Sequence, residues 1–353
     1  MAIGKFTRRI IVTGGAGFIG SNLLLTMVPR YPEYLFVNVD CLTYAGNLTN
    51  LKDIEKKENY RFEKTDIRDF SSLKYMFEKY DIDGVIHLAA ESHVDRSIIG
   101  PADFIQTNIV GTFNLLELAR ERAVKDDGFR FHHVSTDEVY GTLAESGYFT
   151  ELSAYRPSSP YSASKASADH LVRAYHKTYG LNTVITNCSN NFGPYQFPEK
   201  LIPLMIRNAS RGKPLPVYGD GRQVRDWLYV GDHCDALDTV FHKGKSGQTY
   251  NIGAHHEMEN IELVKLICRI MDALKGCGPH DRLIRFVTDR PGHDRRYAID
   301  ATLIKKELGW ESKTSFETGL EKTVKWYLDH ESWLENCISG EYRKYYELNY
   351  GGR

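Results

Sequence analysis

The sequence predicts an α/β protein: a Rossmann-type doubly wound parallel sheet with a smaller mixed α/β substrate-binding domain. Three observations lead there. Short β-branched strand candidates alternate with helical periodicity through the first half of the chain. The first of those strands runs straight into a glycine-rich turn. After about residue 190 the alternation gives way to Gly/Pro-rich segments. Strands alternating with helices imply right-handed crossovers, and ligands of such sheets lie beyond the carboxyl ends of the strands.

Arg9-Ile10-Ile11-Val12-Thr13 has the apolar, β-branched character of a central parallel strand buried on both faces. Helical spacing follows at Ile19, Leu23, Leu24 and Met27 and is expected to stop at Pro29. Further strands are expected at 34–39, 60–64, 85–89, 131–135 and 183–186, with helices between most of them. In the second half, 227–230 and 249–252 read as strands, and helical periodicity returns at 260–275 and 316–330. The expected division is a dinucleotide-binding domain over 1–190, with a return segment near 226–256, and a mainly substrate-binding domain over 191–353.

Composition narrows the class. The chain has 353 residues, 42% of them hydrophobic and 26% charged, which excludes disordered, collagenous and coiled-coil proteins. A net charge of −1 argues against a broad grip on nucleic acid, while leaving room for a local basic pocket that takes a small phosphorylated ligand. The six cysteines form no Cys-x-x-Cys pair and no dense cluster, so neither a disulfide framework nor a structural zinc site is expected. No stretch approaches the roughly 20 apolar residues of a membrane span and the N-terminus has no signal-peptide pattern, so a cytoplasmic protein is expected.

Gly14-Gly15-Ala16-Gly17-Phe18-Ile19-Gly20 joins the first strand to the first helix. Its glycine spacing allows a tight turn, close backbone approach to a pyrophosphate and close helix–strand packing, with the helix N-terminus facing the anion. Asp40 ends the second strand twenty residues after Gly20, where a carboxylate can accept hydrogen bonds from an adenosine ribose; a capping aspartate is the plainer alternative. The following Cys41-Leu42-Thr43-Tyr44 lacks an arginine to receive a 2′-phosphate, so NAD is expected rather than NADP. Asp66-Ile67 can border the adenine, and Leu88-Ala89-Ala90 offers small residues where backbone must approach a cofactor.

Tyr161 and Lys165 lie four residues apart near an expected helix start, which puts phenol and ammonium on one face. A free tyrosine titrates near pH 10 and becomes a useful base at neutral pH only when a nearby cation stabilises phenolate. Lys165 can be that cation and can also bind ribose hydroxyls. Thr136, leaving the fifth strand, can complete the hydrogen bonds around a substrate alcohol or ketone. Asp137 and Glu138 follow it, where acidic pairs often cap helices; here they precede Val-Tyr-Gly and are expected to project into the cleft.

The glycine loop and the Tyr161-x-x-x-Lys165 pair resemble those of extended short-chain dehydrogenase/reductases that act on nucleotide sugars. Ser-Thr-Asp-Glu-Val-Tyr-Gly at 135–141, Ala-Ala-Glu-Ser-His-Val-Asp-Arg-Ser at 89–97, Asn-Asn-Phe-Gly-Pro-Tyr-Gln at 190–196, Pro-Glu-Lys-Leu-Ile-Pro at 198–203 and Arg-Asp-Trp-Leu-Tyr-Val at 225–230 are similar to the dTDP-glucose 4,6-dehydratase family. The resemblance spans about residues 8–330. It implies oxidation at C4 of a nucleotide sugar, elimination of water across C5–C6 and hydride return to C6, with Tyr161, Thr136 and Lys165 serving the oxidation, Glu138 as base at C5 and Asp137 as acid at the C6 hydroxyl. NAD is then a tightly held catalytic cofactor.

The same resemblance implies that Thr107, Ser92 and Asn191 lie near the cofactor, and that Ser92 and Thr136 also meet the sugar. Asn190 is expected at a phosphate, Lys200, Leu201, Pro216, Val217 and Tyr218 around the nucleobase and ribose, and Arg225 at the pyrophosphate, which its forked donors suit. Asn260, Asp289, Arg290 and His293 are expected to close the site. His93 and Arg96 can shape the sugar pocket. No metal site is expected: His132 and His133 are strand neighbours facing opposite ways. Family members commonly form homodimers through helices, and Ile105, Ile109, Phe113 and Leu116 can contribute to such a face or to the core. The alternatives are a UDP-sugar 4-epimerase or decarboxylase on the same scaffold, neither of which needs the Asp137–Glu138 pair, and a non-catalytic nucleotide-sugar or NAD-binding module.

Overall fold

The computed structural model describes residues 6–124 and 128–337. The first half runs β1 (Arg8–Thr13), α1 (Phe18–Arg30), β2 (Tyr34–Asp40), β3 (Tyr60–Lys64), α2 (Phe70–Tyr80), β4 (Gly84–His87), α3 (Val94–Ile99), α4 (Pro101–Phe104), α5 (Thr112–Ala123), β5 (Arg130–Thr136), α6 (Pro160–Tyr179) and β6 (Thr183–Cys188). The second half continues β7 (Asn190–Phe192), α7 (Leu201–Ser210), β8 (Leu215–Tyr218), β9 (Val224–Tyr229), α8 (Val230–Lys243), β10 (Thr249–Ile252), β11 (Glu257–Glu259), α9 (Asn260–Lys275), β12 (Ile284–Val287), α10 (Thr302–Leu308), α11 (Phe316–Asp329) and α12 (Glu331–Cys337).

Seven parallel strands form the main sheet in the order β10-β6-β5-β4-β1-β2-β3. This is the Rossmann-type doubly wound α/β fold, with the strand order reversing beside β1. The central strands are covered on both faces: Ile10, Ile11 and Val12 are all fully buried. One face packs against α1, α8 and α10 through Leu23, Leu24, Met27, Leu237, Phe241 and Ile304. The other packs against α2, α5 and α6 through Leu73, Phe77, Leu115, Leu116 and Val172. Burying each such side chain contributes roughly 1.5–3 kcal/mol before the entropy of ordering is counted.

A second core, including Phe192, Met205, Leu215, Trp227, Leu263 and Leu320, gathers α7, α9 and α11 around the small sheets β11-β9-β7 and β12-β8. The strand over Trp227–Tyr229 therefore belongs to this lobe, and only β10, fed by α8, returns to the main sheet. The difference lies in packing partners: both segments are short and apolar, and periodicity does not say which sheet they join. Strand β4 stops at His87, two residues short of the expected end, because the chain leaves the sheet at Leu88 to form the cleft. Pro29 is tolerated inside the last turn of α1, which ends one residue later.

No helix among the described residues is long and apolar enough to cross a membrane. All six cysteines are free. Among the described residues no group of three or more His, Cys, Asp or Glu side chains could hold a metal ion.

Candidate active site

A cavity of about 480 Å³ opens along the carboxyl ends of the main-sheet strands, and a second of about 160 Å³ adjoins it under the smaller lobe. Glu138, Asn190, Glu199 and Lys200 line both. The cleft therefore lies where the strand order reverses and where the second lobe overhangs the sheet.

The floor of the larger cavity is the β1–α1 turn. Gly14 has φ +68, and a Cβ there would come within 2.7 Å of Ala89 N, so only glycine lets β1 leave the sheet beside the β4 loop. A Cβ on Gly20 would meet Gly15 Cα at 2.7 Å, which is why α1 can lie so close to its own loop. Gly17, Phe18 and Ile19 complete this wall, with the helix N-terminus toward the cavity. Thr13 ties the neighbouring loop in place: its hydroxyl accepts from Leu88 N and Ala89 N at 3.2 and 3.1 Å and bonds His87 Nδ1 at 2.7 Å.

Asp40 lines the cavity and accepts hydrogen bonds from Ala16 N at 3.0 Å and Leu42 N at 2.8 Å, so it caps backbone while presenting its carboxylate to the cleft. Burial raises its pKa and those two bonds oppose the rise. Thr43, Asp66, Ile67, Leu88, Ala89, Ala90, Ser92 and Thr107 also line this cavity, as does Asn191. Leu42 does not; its left-handed backbone, φ 58, turns its N–H onto Asp40. Asn190 and Asn191 each carry a buried side-chain oxygen without a protein partner. A glycine cradle at a helix N-terminus, a ribose-height carboxylate without a neighbouring arginine and unpaired amide oxygens in the wall together fit NAD.

The reactive end is built by β5 and α6. Ser159 caps α6 by accepting from Ser162 N at 3.1 Å, the Ser162 hydroxyl accepts from Ser159 N at 3.0 Å, and Pro160 occupies the first turn. That cap sets where the helix starts and puts Tyr161 and Lys165 on its first two turns. Tyr161 is 8% exposed and Lys165 4%. Lys165 Nζ donates to Val134 O at 2.8 Å, and burial lowers its pKa to about 8. Burial followed by the Glu138 charge holds the Tyr161 phenol well above its usual pKa, opposed by a hydrogen bond with Thr136.

Asp137 and Glu138 open a 3₁₀ turn over Asp137–Tyr140, but they are not its cap: the Thr136 hydroxyl accepts from Glu138 N at 3.3 Å and donates to Asp137 Oδ1 at 3.4 Å, so neither carboxylate is spent on backbone capping. Their surroundings differ. Asp137 is buried, and desolvation, then Glu138, then Asp226 drive its pKa well up against the Arg225 charge and a hydrogen bond with Thr136. Burial also raises Glu138, but Arg290, Lys200 and Arg225 oppose the rise. The surroundings thus favour the proton on Asp137 more strongly than on Glu138.

In the smaller cavity, Leu201, Pro216, Val217, Tyr218, Arg225, Asn260, Arg290 and His293 form the wall. Arg225 is held by donating to Val224 O at 2.8 Å and Asp294 O at 2.9 Å, with its guanidinium 4.4 Å from the Tyr297 ring centre. Asp289 stands behind the wall, accepting from Gln223 Nε2 and Arg290 N and bonding His293 Nδ1. His93 lines this cavity, whereas Arg96 stacks on Tyr44 at 3.6 Å and approaches Glu199, joining the β2 loop to α3. Sequence reading missed Glu91, Cys188, Gln196, Phe197 and Glu199 in the walls. Glu91, Gln196 and Glu199 sit inside the motifs at 89–97, 190–196 and 198–203; Cys188 and Phe197 gave no signal, because their places depend on how the chain folds back.

Fold and site together define an enzyme of the extended short-chain dehydrogenase/reductase class. The family model described as GDP-mannose 4,6 dehydratase matches residues 11–323. A dTDP-glucose 4,6-dehydratase of Salmonella typhimurium strain LT2 is 55% identical over 360 residues, covering 98% of this chain and 99% of that protein. One from Neisseria meningitidis serogroup B is 57% identical over 347 residues, covering 95% and 98%. The crystal structure of dTDP-glucose 4,6-dehydratase from Bacillus anthracis in complex with NAD matches with TM-score 0.84 and 47% identity, covering 94% of this chain and 100% of that one. A UDP-glucose 4-epimerase from Thermotoga maritima also matches, with TM-score 0.81, 31% identity, and 91% and 99% coverage, so the fold alone does not separate the two activities. The chain belongs to this 4,6-dehydratase family, in its dTDP-glucose 4,6-dehydratase branch.

Proposed function

We propose that this protein converts dTDP-glucose to dTDP-4-keto-6-deoxyglucose and water, with NAD as a retained cofactor. The observation that carries the reading is the electrostatic asymmetry of Asp137 and Glu138 in the cavity that also holds Tyr161 and Lys165. An epimerase or decarboxylase needs the tyrosine and lysine but has no use for two adjacent carboxyls whose surroundings set their proton affinities apart.

The chemistry supplied by bound NAD is reversible hydride acceptance, from C4 at the start and back to C6 at the end. Tyr161 removes the C4 hydroxyl proton, with Thr136 bonding the same oxygen and the Lys165 ammonium stabilising phenolate. The ketone at C4 acidifies C5–H. Glu138 takes that proton while Asp137 gives its own to the C6 hydroxyl, so water leaves and a C5–C6 double bond forms. The proton on Glu138 then returns to C5, Asp137 takes a proton from solvent, and Tyr161 releases to solvent the proton it took from the C4 hydroxyl, so the net change is the loss of one water. Asn190, Lys200 and Arg225 hold the diphosphate, and Leu201, Pro216, Val217 and Tyr218 hold the base and ribose.

Incubation with dTDP-glucose and with UDP-glucose, followed by mass and NMR analysis, tests this. A 4-keto-6-deoxy product from dTDP-glucose supports it; a galacto epimer overturns it, and faster turnover of UDP-glucose overturns the base assignment. Pairing into a homodimer fits the exposed Ile98, Ile99, Ile105 and Phe113 on and beside α3–α5, while Leu116 belongs to the core under the sheet; sedimentation decides it. Six free cysteines suit a reducing cytosol.

A further inference from the structure

Helix α6 carries more than the tyrosine and the lysine. Tyr161, Lys165, Asp169 and Arg173 follow one another at four-residue intervals and so form one column on one face. Tyr161, Lys165 and Asp169 are buried, Asp169 and its neighbour His133 completely. His133 Nε2 lies 3.2 Å from Asp169 Oδ1 and 3.5 Å from Lys165 Nζ. The other Asp169 oxygen accepts from Tyr155 OH at 2.8 Å. That phenol oxygen in turn accepts from Arg173 Nη2 at 2.6 Å and Asn187 Nδ2 at 3.1 Å.

We propose that Asp169, bridged by His133, is a positioning residue for the Tyr161–Lys165 pair: it is the buried counter-charge that keeps Lys165 an ammonium, and thereby lets Tyr161 become phenolate. This rests on the reading of Tyr161 and Lys165 given above. An isolated buried ammonium sheds its proton rather than remain charged in a low-dielectric interior. The groups facing this interior can be named for each element. From β4 comes His87, 5.2 Å from the His133 ring, from β5 His133 and Ser135, from β6 Asn187 and Cys188, from the 151–158 segment Tyr155, from the 3₁₀ turn Tyr140, and from α6 itself Lys165 and Arg173. Asp169 is the one carboxylate among those acting on Lys165; Asp137 and Glu138 act on Tyr161. Hydrogen bonds and charges from His133, Lys165 and Ser135 keep Asp169 ionised despite its burial. Burial lowers the His133 pKa to about 4, and its Nε2 lies between the Asp169 carboxylate and the Lys165 ammonium, while Arg173, the other cation of the column, donates to Tyr155 OH.

The test is an ultraviolet titration of the Tyr161 phenolate in the NAD-loaded protein, taken as the difference from Tyr161→Phe, with the pH profile of the first oxidation beside it. Asp169→Asn is expected to move phenolate formation to higher pH and to slow the first oxidation at neutral pH by about 10-fold or more, with KM for the nucleotide sugar little changed. In a Lys165→Met background the same substitution should produce no further shift, since the effect runs through the ammonium. Tyr155→Phe, which removes one bond to Asp169 and leaves its charge, should shift the titration less and in the same direction; it also serves if Asp169→Asn does not fold. A titration curve for either variant that superimposes on the parent, or an Asp169→Asn shift that persists in full without Lys165, overturns the proposal. The titration needs no turnover, so absence of dehydration by the parent would count against the function and leave this result to be read separately.

Discussion

Glu138→Gln separates the two halves of the reaction. Glutamine keeps the shape of the side chain and leaves intact the backbone bond from residue 138 to the Thr136 hydroxyl at 3.3 Å, so the 3₁₀ turn stays formed. What disappears is a base and a negative charge. Loss of the base should slow dehydration by roughly 10²–10⁴, or about 2.7–5.5 kcal/mol. Loss of the charge acts oppositely on the first step: Glu138 raises the Tyr161 pKa, so its removal eases phenolate formation and the oxidation at C4 should not slow. It also lowers the pKa of Asp137, which Glu138 helps to raise. Mixed with dTDP-glucose in a stopped-flow instrument, the variant should show NADH absorbance rising to about one per site and then decaying slowly. Solvent deuterium distinguishes the carboxylates: Asp137→Asn should also accumulate NADH yet still exchange the C5 proton through Glu138, whereas Glu138→Gln should not exchange it. Turnover of Glu138→Gln within a few-fold of the parent, or loss of the NADH rise in step with dehydration, would refute the assigned roles.

Other consequences are measurable without that apparatus. Tyr161→Phe should abolish the NADH rise itself while leaving substrate binding near its parental value in calorimetry. Gly14→Ala forces an L side chain into φ +68 and against Ala89 backbone, which should cost about 1–3 kcal/mol in chemical denaturation and empty the protein of NAD on purification. His87, His132, His133 and His233 are buried, and desolvation is the chief cause that holds their pKa values below 6.5. Their folded pKa values lie below the unfolded one, so stability is full above pH 6.5 and is lost as pH falls below it. From pH 7.5 to 5.5 each should forfeit on the order of 1 kcal/mol, which a urea midpoint series reads directly.

Some of the site was legible because it is local. The Tyr161–Lys165 interval is a property of helix geometry, and the glycine loop of the turn that needs it, so spacing located both. The asymmetry of Asp137 and Glu138 was half legible: adjacency was plain, but Thr136 supplies the cap, and the cations come from elsewhere, Arg225 of β9 acting on both carboxylates and Lys200 and Arg290, from loops around 200 and 290, on Glu138. Asp169 continues the same four-residue interval, and its meaning stayed hidden because a carboxylate on a helix is ordinarily solvated. Only burial against His133 and Tyr155 gives it a different standing.

By itself the sequence determined the alternation of strands and helices, the dinucleotide turn, the helical Tyr–Lys pair and the acidic pair at a strand end, all of them set by backbone periodicity or by residues within a few positions of one another. Tertiary structure alone decided that β10 returns to the main sheet while β9 does not, that Leu42 and Asp289 stand behind the walls rather than in them, and which carboxylate of the acidic pair has more cations around it. The reason is physical: desolvation and long-range charge depend on what lies opposite a group in space, and chain order does not specify that until the core has formed.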